Sequence, residues 1–234
     1  MEMIDFLTRH HADPPVIPLA GHLALLFALV GLAFLTVKMQ GNVGYSRFFK
    51  ALQWGQVLAL YIWYVLVDFD GGISLPLYHC RLAMFALLLL PDRFSYKKYF
   101  AYMGLVGSVV SFAYPVLDTY AFPHLTHFSF IIGHAALFVN SLLYLLRKAP
   151  EDKLVFRELI FFVLGVHLLI LEADLVTGGD YGFLRHLPIL HSEQILFNTF
   201  LMSLLLIATM SLTDRTLTFL LNRSSQVQQD EEGV

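Results

Sequence analysis

The sequence is poor in charged residues and almost free of cysteine, and both shortages narrow what the protein can be. Charged residues make up 14% of its 234 residues and hydrophobic residues 57%, whereas soluble domains carry roughly 25% charged residues. A net charge of −3, scattered over short segments, leaves no basic face for nucleic acid. A single cysteine, Cys80, excludes an internal disulfide. The composition therefore predicts a membrane protein that crosses the bilayer several times.

The sequence also lacks a Gly/Ser-rich or Pro-rich linker and shows no internal repeat. We therefore expect one transmembrane domain over residues 1–222 and no separate soluble domain. Residues 223–234 are polar and acidic, a composition typical of a disordered tail.

Seven apolar stretches are each close to the roughly 20 residues that cross a hydrocarbon core of about 30 Å. They predict an all-α membrane protein with a seven-transmembrane-helix bundle. The second and third stretches are the shortest of the seven. The seven stretches cover residues 17–37, 51–67, 74–90, 99–117, 128–146, 154–176 and 195–212.

Lysine and arginine are concentrated in alternate connections between these stretches. Cytoplasmic loops carry the excess of positive residues, so the pattern predicts an outward N-terminus and a cytoplasmic C-terminus. The opposite side holds only Arg9 and Arg185. The basic residues expected in the cytoplasm are Lys38, Arg47, Lys50, Arg93, Lys97, Lys98, Arg147, Lys148, Lys153, Arg157, Arg215 and Arg223.

Ionisable residues within the apolar stretches lie mainly in the outer halves. At 1.5 Å per residue, Cys80 is about 9 Å into the third stretch and His134 about 10 Å into the fifth. A charged group that faces lipid costs about 2.5 to 3.5 kcal/mol at a helix centre. We therefore expect these side chains to face a polar cavity that opens toward the outer leaflet. His167, Glu172, Asp174 and Asn198 lie in the outer halves of the last two stretches.

Cys80 and His134 at matching depth are the residue types of a nucleophile and its base. A thiol becomes an effective nucleophile when an imidazole takes its proton, and the product with an acyl donor is a thioester. Acyl transfer between lipids requires such a pair near the ester groups. The alternative for Cys80 is a small buried apolar side chain, and the sequence leaves both interpretations open.

Arg81 keeps its positive charge in a protein and so requires a carboxylate or a phosphate. Glu172 or Asp174 would satisfy it structurally, whereas a phospholipid headgroup would satisfy it functionally. The candidate substrate-binding residues are Arg81, His167, Glu172, Asp174 and Asn198.

Two segments are similar to a known family. LPLYHCRLAMFALLLLP resembles the cysteine-bearing third helix of the YwaF and transmembrane protein 164 family, and HFSFIIGHAALFVNSLLYL resembles its histidine-bearing fifth helix. The resemblance implies a multipass membrane protein whose eukaryotic members are cysteine-centred phospholipid acyltransferases that acylate lysophospholipids. It implies Cys80 as nucleophile and His134 as base, with no cofactor. The family pattern has a histidine two places before the cysteine, whereas here Tyr78 takes that place and His79 adjoins Cys80.

The leading hypothesis is thus a phospholipid acyltransferase or lipid hydrolase whose partners are membrane lipids. A second hypothesis places zinc among His134, His167, Asp174 and either Glu172 or His22, with a metal-bound water attacking an ester or amide. A third is a protein that binds or transports a lipid or small molecule without chemistry. A retinal photoreceptor is excluded because residues 195–212 contain no lysine.

Several properties remain open at this stage. The sequence specifies neither the acyl donor and acceptor nor the oligomeric state. An integral multipass protein of this kind belongs in the plasma membrane if its source is bacterial.

Overall fold

The computed structural model describes residues 6–148, 153–188 and 190–232, with side chains as far as Arg223. The described residues form seven α-helices and no strand, apart from two isolated bridges. The helices are α1 (Leu19–Lys38), α2 (Val43–Leu66), α3 (His79–Leu89), α4 (Lys97–Ala113), α5 (Leu125–Lys148), α6 (Phe156–Thr177) and α7 (Ile195–Glu232).

Four of these helices, α1, α5, α6 and α7, are long and apolar enough to cross a membrane. The prediction of an all-helical membrane protein is confirmed at this level. Each of the seven apolar stretches overlaps one helix. The other three helices are more polar or shorter: α2 carries Arg47, Lys50, Gln53 and Gln56, α4 has 17 residues and α3 has 11.

The helix α3 begins later than the apolar stretch 74–90 predicts. The stretch contains Pro76, which disfavours helical backbone at the residue before it. Ser74 instead closes a turn: its N–H donates to the Asp70 carbonyl over 2.8 Å, and its hydroxyl accepts from the Asp70 N–H over 3.0 Å. The helix is therefore about 16 Å long, and Cys80 is its second residue rather than about the sixth.

The fourth stretch is also shorter as a helix than predicted. It extends to residue 117 by composition, but α4 ends at Ala113. Pro115 follows two residues later and excludes helical backbone at Tyr114, whose φ and ψ are −136° and 78°.

Helix α5 forms the centre of the bundle. Most of its residues are buried, and it packs against α2, α3 and α4. Small residues permit close approach: a methyl group on Gly104 of α4 would come within 2.7 Å of Ser141 Oγ, and one on Gly133 within 2.9 Å of the Gln56 side chain. Close packing at glycine is typical of helices that associate in membranes. Helix α7 packs against α4 and α6.

Lys97 and Lys98, which the sequence predicts in the cytoplasm, lie at one end of the bundle. Lys97 and Lys98 are both buried. The Lys97 ammonium lies 2.8 Å from the Asp92 carboxylate, and this hydrogen bond lowers the pKa of Asp92. The Lys98 ammonium donates to the Lys153 carbonyl over 2.9 Å.

At the other end, hydrogen bonds join the segments that connect the helices. The Tyr181 hydroxyl donates to the Gly71 carbonyl over 2.6 Å and accepts from the Leu75 N–H over 3.0 Å. Gly178, with φ of +79°, ends α6 in the left-handed conformation that favours glycine. The loop after α6 therefore lies over the segment that precedes α3.

The last helix, α7, continues to Glu232. It thus includes most of the segment 223–234, for which composition predicts a disordered tail. Because the side chains beyond Arg223 lie outside the described residues, that prediction stays a prediction.

Candidate functional site

A cavity of about 550 Å³ lies inside the bundle, with walls from α2 to α7 and from the loop after α6. Four of the predicted site residues line it: Cys80, Arg81, His134 and His167. Asp180, Tyr181 and Phe183 of the loop also contribute to its wall. The other three predicted residues, Glu172, Asp174 and Asn198, are absent from the lining.

Cys80 lies in the first turn of α3 and is partly buried. Its sulfur is 3.8 Å from the Ser111 hydroxyl on α4. One turn earlier on α4, a methyl group on Gly107 would come within 2.7 Å of the same sulfur, closer than van der Waals contact permits. The thiol therefore occupies space that only glycine at position 107 leaves free.

His134 faces the cavity from α5 with a fixed tautomer. Its Nδ1 lies 2.7 Å from the Phe130 carbonyl, and because a carbonyl only accepts, Nδ1 carries the hydrogen. The lone pair is thus on Nε2 when the ring is neutral. The described hydrogen bonds include none between His134 and Cys80, and both side chains line the same cavity.

Arg81 has neutral hydrogen-bond partners, and the Asp118 carboxylate lines the same cavity. Its guanidinium donates to the Ile73 carbonyl over 2.8 Å and to the Tyr64 hydroxyl over 2.7 Å. It also lies over the rings of Tyr64 and Tyr78, 5.1 and 4.7 Å from their centroids. Among the described ion pairs, no carboxylate pairs with Arg81. The structural pairing with Glu172 or Asp174 that the sequence allows is therefore not formed.

His167 belongs to a buried chain of hydrogen bonds that crosses three helices. Its Nε2 lies 2.9 Å from Nε2 of His79 on α3, and its Nδ1 lies 2.6 Å from the Ser203 hydroxyl on α7. The Ser203 hydroxyl donates to the Thr199 carbonyl over 2.7 Å. His79 also lines the cavity, so this chain ends beside Cys80.

The three predicted residues outside the cavity have other positions. The buried Asp174 carboxylate accepts from the Tyr181 N–H over 2.9 Å, which fixes the loop after α6. The buried Asn198 amide donates to the carbonyls of Arg185 and Ser192 in the same loop. Glu172 is exposed on α6. A substrate-binding role for these residues stays a prediction without support from the cavity.

The geometry does not favour the zinc hypothesis. Within residues 6–148, 153–188 and 190–232, no three His, Cys, Asp or Glu side chains lie close enough together to hold a metal ion. Tetrahedral zinc sites require three or four such ligands. The residues proposed for that site, His22, His134, His167, Glu172 and Asp174, are not assembled into one.

Gly107, Ser111 and His79 are among the residues of the cavity wall that sequence reasoning missed. Gly107 and Ser111 are one helical turn apart on α4, and this small-residue face indicates close approach of another helix. His79 adjoins Cys80 in the sequence, and because adjacent residues of a helix point about 100° apart, the sequence does not indicate that both belong to one site. The partner of His79, His167, is 88 residues distant in the chain, so no local pattern indicates the pair.

Comparison with known proteins gives one match. The model of the TMEM164 family matches residues 6–214, which is most of the chain. No curated protein matches the chain, and no solved structure does.

Proposed function

The chain belongs to the TMEM164 family, and on this premise we propose that it is a membrane enzyme that transfers the acyl group of a phospholipid through a thioester on Cys80. The observation that carries the proposal is the cavity that Cys80 and His134 share. Acyl transfer through a thioester requires at least a nucleophile and a base that face the same cavity. The family resemblance implies the same roles for these two residues.

In the proposed reaction, His134 Nε2 takes the thiol proton of Cys80 as the sulfur attacks the ester carbonyl of the donor. The ester C–O bond breaks, and His134 returns the proton to the leaving glycerol oxygen, which becomes the hydroxyl of a lysophospholipid. The hydrogen bond from Nδ1 to the Phe130 carbonyl supports this role because it keeps the lone pair on Nε2. The position of Cys80 in the first turn of α3 adds the positive end of the helix dipole, which favours an anion.

We assign the phosphate of the donor to Arg81. This side chain reaches the cavity with two neutral hydrogen-bond partners and forms no salt bridge with a described carboxylate, although Asp118 also lines the cavity and attracts its charge. A guanidinium whose hydrogen-bond partners are neutral attracts a phosphate, because phosphate oxygens match its planar arrangement of donors. The proposal therefore favours phospholipid over a neutral glyceride as the acyl donor.

We assign the acyl chain to the apolar part of the cavity. Met84 lies one turn beyond Cys80 on α3, and Met103 lies one turn before Gly107 on α4, both toward the end of the bundle that holds Lys97. Met202, Leu205 and Leu206 of α7 line the cavity as well. An apolar pocket below Cys80 with Arg81 above it suits a lipid whose headgroup stays at the outer end.

Intact-protein mass spectrometry tests the thioester. The purified protein should gain the mass of one acyl group after mixing with a diacyl phospholipid and rapid acid quench, and hydroxylamine should remove the adduct. A diacylglycerol with the same chains should give much less adduct because it lacks a phosphate for Arg81. Acyl transfer to lysophospholipid without an adduct at any quench time would contradict the mechanism.

We further propose that all seven helices cross the membrane, with the N-terminus outside. The clustering of lysine and arginine in alternate connections supports this orientation. Because Cys80 is the only cysteine, Cys80→Ser gives a background for single-cysteine labelling. A membrane-impermeant maleimide should label His186→Cys in intact cells and Lys38→Cys only after permeabilisation, both positions being exposed. The reverse labelling pattern would contradict the orientation.

A further inference from the structure

We propose that His79 is a second catalytic base, which binds and deprotonates the hydroxyl group that removes the acyl chain from Cys80. The inference rests on the proposed function, because it concerns the second half of the same reaction. It assigns the two halves to different histidines: His134 to acylation of the thiol and His79 to deacylation. The hydroxyl belongs to water in a hydrolase and, in a transferase, to an acceptor lysophospholipid that binds on the His79 side of the sulfur and not in the place of the lysophospholipid released in the first half.

The hydrogen-bond directions along the chain from Ser203 to His79 define the state of the His79 ring. Because the Ser203 hydroxyl gives its only hydrogen to the Thr199 carbonyl, it accepts from Nδ1–H of His167. Nε2 of His167 then carries a lone pair and accepts from Nε2–H of His79. Nδ1 of the neutral His79 ring is therefore the nitrogen without a hydrogen.

This Nδ1 atom has no described partner, and its ring lines the cavity. No described residue donates a hydrogen bond to Nδ1. The atom is also not one of the fully buried side-chain atoms that lack a partner, so it is accessible. His79 belongs to the cavity wall, beneath Gly182 of the loop after α6. A purely structural chain of hydrogen bonds would be expected to end on a protein group, whereas this chain ends with a lone pair that no described residue binds, on a ring that lines the cavity.

The position of His79 suits the incoming group rather than the donor ester. His79 and Cys80 are consecutive residues of α3, so their side chains diverge by about 100°. His134 approaches the cavity from α5, whereas His79 is held by α6 and α7. The acyl-bearing sulfur therefore lies in a cavity with one imidazole on the α5 side and another on the α6 and α7 side.

The second half-reaction uses only the acceptor hydroxyl, the thioester and His79. The acceptor hydroxyl gives its proton to His79 Nδ1 while its oxygen attacks the thioester carbonyl. The C–S bond breaks and the new ester C–O bond remains. The Cys80 thiolate recovers the proton from His79, which restores the neutral thiol and imidazole. His167 and Ser203 are positioning residues, because their hydrogen bonds hold the His79 ring and its tautomer.

The variant His79→Gln tests the inference with little disturbance of the fold. A glutamine amide can keep the N–H donated to His167 but offers no basic nitrogen at the position of Nδ1. We expect the acyl adduct on Cys80 to form at the wild-type rate and to decay about 10²-fold more slowly, because loss of a general base costs about 10² to 10⁴ in rate. Ser203→Ala should slow decay by a smaller factor.

The measurement follows adduct formation and decay separately by quenched intact mass spectrometry, with and without lysophospholipid. Slow decay only when lysophospholipid is present identifies the lipid hydroxyl as the ligand of His79; slow decay in both arms identifies water as well. Wild-type decay in His79→Gln, or slow formation of the adduct, would overturn the inference. If the wild-type protein itself forms no adduct, the proposed function fails, which is a different result.

Discussion

Replacement of Cys80 by alanine should abolish acyl transfer to a lysophospholipid, with a loss of about 10³-fold or more, as for removal of other catalytic nucleophiles. The physical reason is that the chain has no second thiol to form the thioester. Cys80→Ser should keep the shape of the side chain but remain nearly inactive, because a hydroxyl gives up its proton less readily than a thiol. The measurement is transfer of a labelled acyl chain in vesicles that contain equal amounts of each variant.

A matched pair of glycine variants tests whether activity depends on access to the Cys80 sulfur. Gly107→Ala brings a methyl group into the space of the Cys80 sulfur and should suppress both transfer and thiol alkylation. Gly165→Ala adds the same methyl group to α6, where nothing lies within 4 Å, and should leave both unchanged. Full activity in Cys80→Ala would rule out the covalent mechanism whatever the glycine variants do.

Replacement of His134 by asparagine should lower the rate of adduct formation by about 10² to 10⁴, the usual effect of losing a general base. Asparagine can still donate a hydrogen bond to the Phe130 carbonyl in place of Nδ1, so the helix should keep its packing. It has no basic atom in place of Nε2. The cysteine then depends on the solvent to remove its proton.

The pH dependence distinguishes a lost base from a damaged site. A thiol ionises more completely as pH rises, so the rate in His134→Asn should increase with pH and recover part of the wild-type value. Damage to the site would lower the rate at all pH values by a similar factor. A wild-type rate at neutral pH in this variant would show that His134 is not the base.

The helices, and the shared cavity of Cys80 and His134, could be predicted because they depend on rules that act along one segment. Seven apolar stretches are enough to indicate seven helices. Cys80 and His134 were found because a polar residue in an apolar stretch must turn inward to avoid lipid. Cys80 is the second residue of α3 and not about the sixth, since Pro76 delays the start of the helix, but the cavity still includes both residues.

The rest of the site depends on contacts between distant segments. Asp174 and Asn198 satisfy the same inward-facing rule as His134, yet their partners are backbone groups of the loop after α6. The sequence cannot distinguish a polar side chain that awaits a ligand from one that binds a backbone group. The partner of His79 is on another helix, and only the tertiary structure brings the two rings within 2.9 Å of each other.

The short length of α3 affects how the chain can change in evolution. In the proposed topology the segment 67–78 completes the crossing that α3 begins, and irregular backbone at membrane depth is tolerated only where its polar groups are satisfied inside the protein. Asp70, Tyr181 and Arg81 supply those partners. Among relatives, insertions should therefore be as rare in this loop as in a buried helix, whereas the connection between α1 and α2 is free to vary in length.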